Sequence, residues 1–145
     1  MRPLYDLREW KKMDLANKTA LITGGASGLG LATARNFIAA GANGMLFDLN
    51  QQALDAAVAE LGEKAISHAG DVSDQVAVAE AVARTKEKFG TIHINVNSAG
   101  IGGAARTVGR DGPMPLEKFE NIVRVNLIGT FNVLRLCAEV MQLNE

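Results

Sequence analysis

The eight residues from Thr23 to Gly30, Thr-Gly-Gly-Ala-Ser-Gly-Leu-Gly, constrain this chain more than any other segment. They follow the short β-rich run Thr19–Thr23 and precede a stretch of helical period. Three glycines at such a junction, Gly24, Gly28 and Gly30, allow a tight turn, a close backbone approach to a bulky anion, and close packing of helix on strand. The backbone of Ser27 and Leu29 completes the cradle. Its free N–H groups and the positive end of the helix dipole suit the pyrophosphate of a dinucleotide. No Lys-Ser/Thr pair follows Gly30, which excludes the phosphate loop of nucleoside-triphosphate-binding proteins.

The rest of the sequence supplies the surroundings this loop needs. Leu29, Ala32, Thr33, Phe37 and Ala40 share one helical face, and Gly41 supplies a C-terminal stop. Strands are expected at Gly44 to Asp48, Lys64 to His68 and Ile92 to Asn97. A second helix is marked by Leu54, Ala57, Val58 and Leu61, and a third runs from Ser73 to Phe89 with Ser73 or Asp74 as its cap. A long final helix follows the loop containing Pro113 and Pro115. It is expected from about Leu116 toward Met141, burying Phe119, Ile122, Val123, Leu127, Leu134 and Cys137. Strands that alternate with helices form a parallel sheet with right-handed crossovers. The fold class is therefore α/β, a doubly wound parallel sheet of about four strands and four helices spanning residues 14–145. Residues 1–13 form an extension with no apolar run of the secretory kind.

Composition excludes several functions. The 145 residues carry a net charge of −1 with the basic side chains dispersed, so neither nucleic acid nor an anionic membrane is an expected partner. No stretch approaches the roughly 20 apolar residues needed to cross a bilayer. The single cysteine, Cys137, excludes an internal disulfide and fits a reducing compartment: the cytoplasm, or the mitochondrion in a eukaryote. It reads as a small buried hydrophobe in a helix rather than a reactive thiol. His68 and His93 stand in expected strands without a second ligand at metal spacing, so no metal site is expected.

Asp48 ends the second strand eighteen residues beyond Gly30. A carboxylate there can accept hydrogen bonds from the adenosine ribose hydroxyls and repel a 2′-phosphate, which favours NAD over NADP. Leu49 and Asn50 follow it, so no adjacent cation waits for a phosphate. The alternative is a strand-end Asp facing solvent.

These motifs together resemble the short-chain dehydrogenase/reductase family, whose glycine spacing is T-G-x-x-x-G-x-G; the resemblance covers Asp14 to Glu145. Asp71 and Val72 resemble the family's adenine-contacting pair, Asn97–Ser98–Ala99–Gly100 its N-N-A-G stretch, and Asn126 in VNLIGTFNV its catalytic asparagine. Ser98 departs from the commoner second Asn. Read without the resemblance, Asp71 is only a turn residue and Asn126 a satisfied buried amide. Arg106 and Arg110 either solvate their loop or meet an anionic substrate group such as a CoA phosphate.

The resemblance implies a Rossmann-fold, NAD-dependent enzyme of the hydroxyacyl-CoA or hydroxysteroid kind. It would interconvert a secondary alcohol and a ketone and form homo-oligomers at full length. It also implies a Ser, a Tyr and a Lys four residues after that Tyr. The only tyrosine is Tyr5, and Glu9 stands four residues on. The expectation is thus a fragment that binds NAD poorly and does not turn over. The alternatives are a non-catalytic dinucleotide-binding or regulatory module, and a half-enzyme completed by another chain.

Overall fold

The computed structural model describes residues 14–144, so the N-terminal extension and Tyr5 lie outside the described residues. Four strands, β1 (Thr19–Thr23), β2 (Asn43–Asp48), β3 (Ala65–Ala69) and β4 (Ile94–Asn97), form one sheet in the order β3-β2-β1-β4. All three pairings are parallel. Helices α1 (Gly28–Ala39), α2 (Gln51–Leu61) and α3 (Gln75–Phe89) make the crossovers. A two-residue antiparallel ribbon, β5 (Val108–Gly109) and β6 (Gly112–Pro113), interrupts the loop after β4. The final helical stretch is α4 (Leu116–Val123), a π-helical segment (Arg124–Gly129) and α5 (Thr130–Met141).

Side-chain alternation along the strands divides the core in two. Leu21, Met45 and Phe47 face one side of the sheet and pack with Val78, Ala81 and Val82 of α3 and Val133, Cys137 and Val140 of α5. Ala20, Ile22 and Leu46 face the other side and pack with Ala34 of α1 and Leu54 and Ala57 of α2. A sheet covered on both faces needs strands apolar on both faces, and the central pair β1 and β2 meets that demand with an almost fully buried TALIT and GMLF. The doubly wound architecture expected from the alternating pattern is the one observed.

Local chemistry explains the helix ends. The Asp74 carboxylate caps α3, accepting from Val76 and Ala77 N–H, so the helix opens at Gln75 rather than Ser73. Asn50 caps α2 in the same way through Ala53 N–H. Gly41 follows α1 in the left-handed region, with φ 92°. Helix α5 is tied to the sheet at two places. Buried Asn132 donates to the Val72 carbonyl at 2.9 Å, and Asn144, just past the helix, donates to the Ile92 carbonyl at 2.7 Å and accepts from the Thr91 hydroxyl.

Three expectations need correction. Leu29, Ala32 and Ala40 are exposed, and the face of α1 that packs is set by Gly30, Ala34 and Phe37. The phase is fixed by Gly30 seating on the preceding turn, which leaves Leu29 at the mouth of a cleft. Phe119, Leu127 and Leu134 are exposed, Phe119 on a helix α4 that has no buried residue; Cys137 is buried as expected, and Gly129, Asn132, Val133 and Val140 are buried with it. A π-helical turn holds an extra residue relative to an α-turn, so a stripe extended through it at 3.6 residues per turn leaves the buried face at Leu127 and Leu134. Strand β3 starts at Ala65 rather than Lys64, and β4 at Ile94 rather than Ile92. Cys137 is fully buried, and that burial pushes its thiol up to about 12, as an inert core residue requires. Among the described residues no helix is long and apolar enough to cross a membrane.

Two stability predictions follow from the lower end of the sheet. The Thr19 hydroxyl is buried without a hydrogen-bond partner among the described residues. Thr19→Val should therefore raise stability by about 1 kcal/mol in urea unfolding. His93 Nδ1 accepts from Thr19 N–H at 3.0 Å and must be unprotonated to do so. Burial, and secondarily the nearby Lys18, hold its pKa below the ordinary histidine value. The unfolded chain then takes up that proton first. Its contribution to stability is intact above about pH 6.5 and declines as pH falls below that value. His93→Gln should flatten the urea midpoint between pH 7.5 and 5.5 relative to the parent.

Candidate functional site

The carboxyl ends of the strands open into a cleft of about 380 Å³. Helix α1 leads from β1 to β2 on one side, whereas α3 crosses back to place β4 on the other side of β1. The connections diverge above β1, and in open α/β sheets such a divergence is where ligands bind.

The glycine turn forms the floor. Gly24 has φ 64°, and a Cβ on it would lie 2.9 Å from the backbone of Ser98 and Ala99. A Cβ on Gly30 would lie 2.1 Å from the Gly24 carbonyl oxygen, so α1 can approach β1 only without a side chain there. Gly28, at φ 51°, faces open space. Ser27 is the N-cap residue, but its side chain makes no capping bond. The first-turn N–H groups of α1, orphaned in any helix, are left for a ligand. This cradle fits a dinucleotide's diphosphate.

Asp48 lines the cleft beside the turn: Oδ2 accepts from Ala26 N–H and Oδ1 from Asn50 N–H, both at 3.2 Å. It faces the cradle and is not simply a strand-end carboxylate in solvent. Gly70, Asp71 and Val72 continue the wall past the end of β3. Asp71 Oδ1 accepts from the Ser73 N–H (2.8 Å) and hydroxyl (2.7 Å), and Oδ2 from Arg124 at 2.8 Å. Partial burial pushes this carboxyl up, but the bonds from Arg124 and Ser73 outweigh it and hold it below the usual carboxylate range.

The opposite wall is Ser98, Ala99, Gly100 and Ile101. Ala99 N–H donates to the Thr23 hydroxyl at 3.1 Å, which locks this turn to the end of β1. Asn126 clamps the same wall: Ile101 N–H donates to its Oδ1 and its Nδ2 donates to the Ile101 carbonyl, both at 2.9 Å. Its amide is thus committed to positioning the backbone of Ile101.

The cleft contains Gly24, Ser27, Gly28, Leu29, Gly30, Asp48, Asp71, Val72, Ser98, Ala99 and Gly100, all expected from sequence. Asn97 is not among its lining residues; its amide bonds Asn95 Oδ1 at 2.7 Å. Leu49, Gly70, Ile101 and Val125 were missed by sequence reasoning. For Gly70 a signal exists, since it directly precedes Asp71 and a Cβ there would lie 2.8 Å from the Phe47 ring. Val125 lies on the π-helical segment, whose phase no local sequence signal marks.

Arg106 and Arg110 are exposed on their loop. A second cleft of about 320 Å³ begins at Ile101 and is lined by Gly102, Gly103, Met114, Lys118 and Ile122. Among the described residues no three His, Cys, Asp or Glu side chains converge on a metal position. His68 stacks on Phe47 and contacts Arg84 and Glu80.

This chain belongs to the short chain dehydrogenase family, whose model matches residues 18–145. It is 43% identical over 128 residues to the 3-hydroxyacyl-CoA dehydrogenase type-2 of Bos taurus, covering 87% of this chain and 49% of that protein. The Drosophila melanogaster protein of the same name is 38% identical over 133 residues, 90% of this chain and 52% of that one. The chain spans about half the length of these curated relatives. Among solved structures, a 3-ketoacyl-(acyl-carrier-protein) reductase from Brucella melitensis, complexed with NADH, matches with TM-score 0.79 and 34% identity over 87% of this chain and 51% of its own.

Substitutions in the turn should separate packing from ligand access. Gly30→Ala forces a collision with backbone and should destabilise by several kcal/mol, on the order of the overpacking penalty or above. Gly28→Ala meets no atom and should cost only the left-handed strain of about 1 kcal/mol. Thermal unfolding of the two variants measures the difference.

Proposed function

We propose that this chain is the NAD-binding half of a short-chain oxidoreductase that interconverts a secondary alcohol and a ketone. The observation that carries the cofactor is Asp48, a carboxylate facing the cradle with neither Lys nor Arg next to it. The diphosphate would rest on the first turn of α1 against Gly28. The ribose hydroxyls would donate to Asp48, whose charge repels a 2′-phosphate. When bound, the nicotinamide supplies the hydride acceptor or donor. The Ser98–Ile101 wall, held by Thr23 and Asn126, would carry the nicotinamide side.

No tyrosine or lysine lines the cleft among the described residues. The proton donor that the alcohol oxygen needs is therefore not supplied by these walls, and the 145 residues alone are proposed to bind without turnover. A 3-hydroxyacyl substrate is supported by the relatives' names, and that or a hydroxysteroid would meet a second cleft lined by Ile101, Met114 and Ile122 together with Lys118.

Titration followed by amide NMR tests the reading. NAD should shift the Gly24–Gly30 resonances and bind about tenfold or more tightly than NADP, a difference near 1.4 kcal/mol. Asp48→Ala should narrow that gap. No shift at millimolar NAD would sink the proposal.

A further inference from the structure

We infer that Arg124, on the π-helical segment, is a positioning residue that fixes Asp71 to read the amino group of the adenine base. The inference rests on the dinucleotide reading above. The strand order carries the placement: the cradle lies over β1, Asp48 ends the neighbouring β2, and Asp71 follows the outer β3. A nucleotide whose diphosphate sits at the first and whose ribose sits at the second projects its base toward the third.

At Asp71 the hydrogen-bonding capacity is nearly filled. Oδ1 takes both Ser73 donors and Oδ2 takes one from Arg124. A carboxylate oxygen has two lone-pair sites, so Oδ2 keeps one acceptor position. An exocyclic amino group can donate to it, whereas a carbonyl oxygen in the same place would be repelled. Arg124 is itself held: it also donates to the Ser73 hydroxyl, and to Asn121 Oδ1 at 2.8 Å. The support behind it is close-packed, since a Cβ on Gly129 would lie 2.4 Å from Val72 Cγ2, and Asn132 holds the Val72 carbonyl. The segment that carries Asn126 therefore also sets the carboxylate at the far end of the cleft.

The test compares binding of NAD with nicotinamide hypoxanthine dinucleotide, in which a carbonyl replaces the adenine amino group, to the full 145-residue chain. The parent should prefer NAD by about tenfold, the scale of one charge-assisted hydrogen bond. Arg124→Gln should bring the two within about twofold while the NAD-over-NADP preference, set at Asp48, persists; Arg124→Lys should restore part of the base preference. Should Arg124→Gln fail to fold, Asn121→Ala, which removes one of the guanidinium's acceptors, should lower the preference by about threefold. Equal weakening of both dinucleotides, an unchanged ratio, or a parent with no base preference would overturn the inference while leaving the cofactor reading intact. Failure of the parent to bind either dinucleotide would remove that reading and this inference with it.

Discussion

The contact between Gly30 and the Gly24 carbonyl governs the arrangement of everything around the cleft. Helix α1 can lie this close to β1 only because neither position carries a side chain in the gap. That approach aims the helix N-terminus across the end of the strand and fixes the phase at which Ala34 and Phe37 meet the sheet. It also brings Ala26 N–H within reach of Asp48, so one steric constraint places both the diphosphate cradle and the carboxylate beside it.

Around this floor the two walls are built differently. The Ser98–Ile101 wall is held to its neighbours mainly through backbone, by Thr23 to Ala99, the paired bonds of Asn126 to Ile101 and the close approach of Gly24. The Gly70–Val72 wall is held by packing as well, with Phe47 and Ala77 against Gly70 and Gly129 beneath Val72. A buried amide, a guanidinium and a glycine, each on the last helical stretch, converge on that second wall. Asn126 thus belongs to a helix that touches both sides of the cleft.

What could be read from sequence was whatever local chemistry fixes alone. The glycine spacing, the strand-end Asp48, the Asp74 or Ser73 cap and the Leu54–Leu61 face depend on neighbours within a few residues, and the structure has them with small shifts in boundary. Along the final helix full burial was legible only at Cys137. Leu127 and Leu134 are as apolar as Val133 and Val140, and the π-helical turn that selects between the two faces is a tertiary feature. Asn97 shows the same limit at the site: its place in a motif says nothing of whether its amide will prefer Asn95. Leu29 lines the cleft and is absent from the core, because a residue at the first turn of a helix can face only one of them.

The double attachment of α5 has a mechanical consequence. One tie holds the helix to the turn at the carboxyl end of the sheet, through Asn132 and Val72, and the other to the amino end, through Asn144, Ile92 and Thr91. A rod fastened near both ends cannot slide along the sheet without breaking both fastenings together. Helix α5 therefore behaves as a strut of fixed length. The stretch from Ile101 to Pro115, exposed along most of its length, lies outside that strut and is fastened beside the cleft at Ile101 through Asn126.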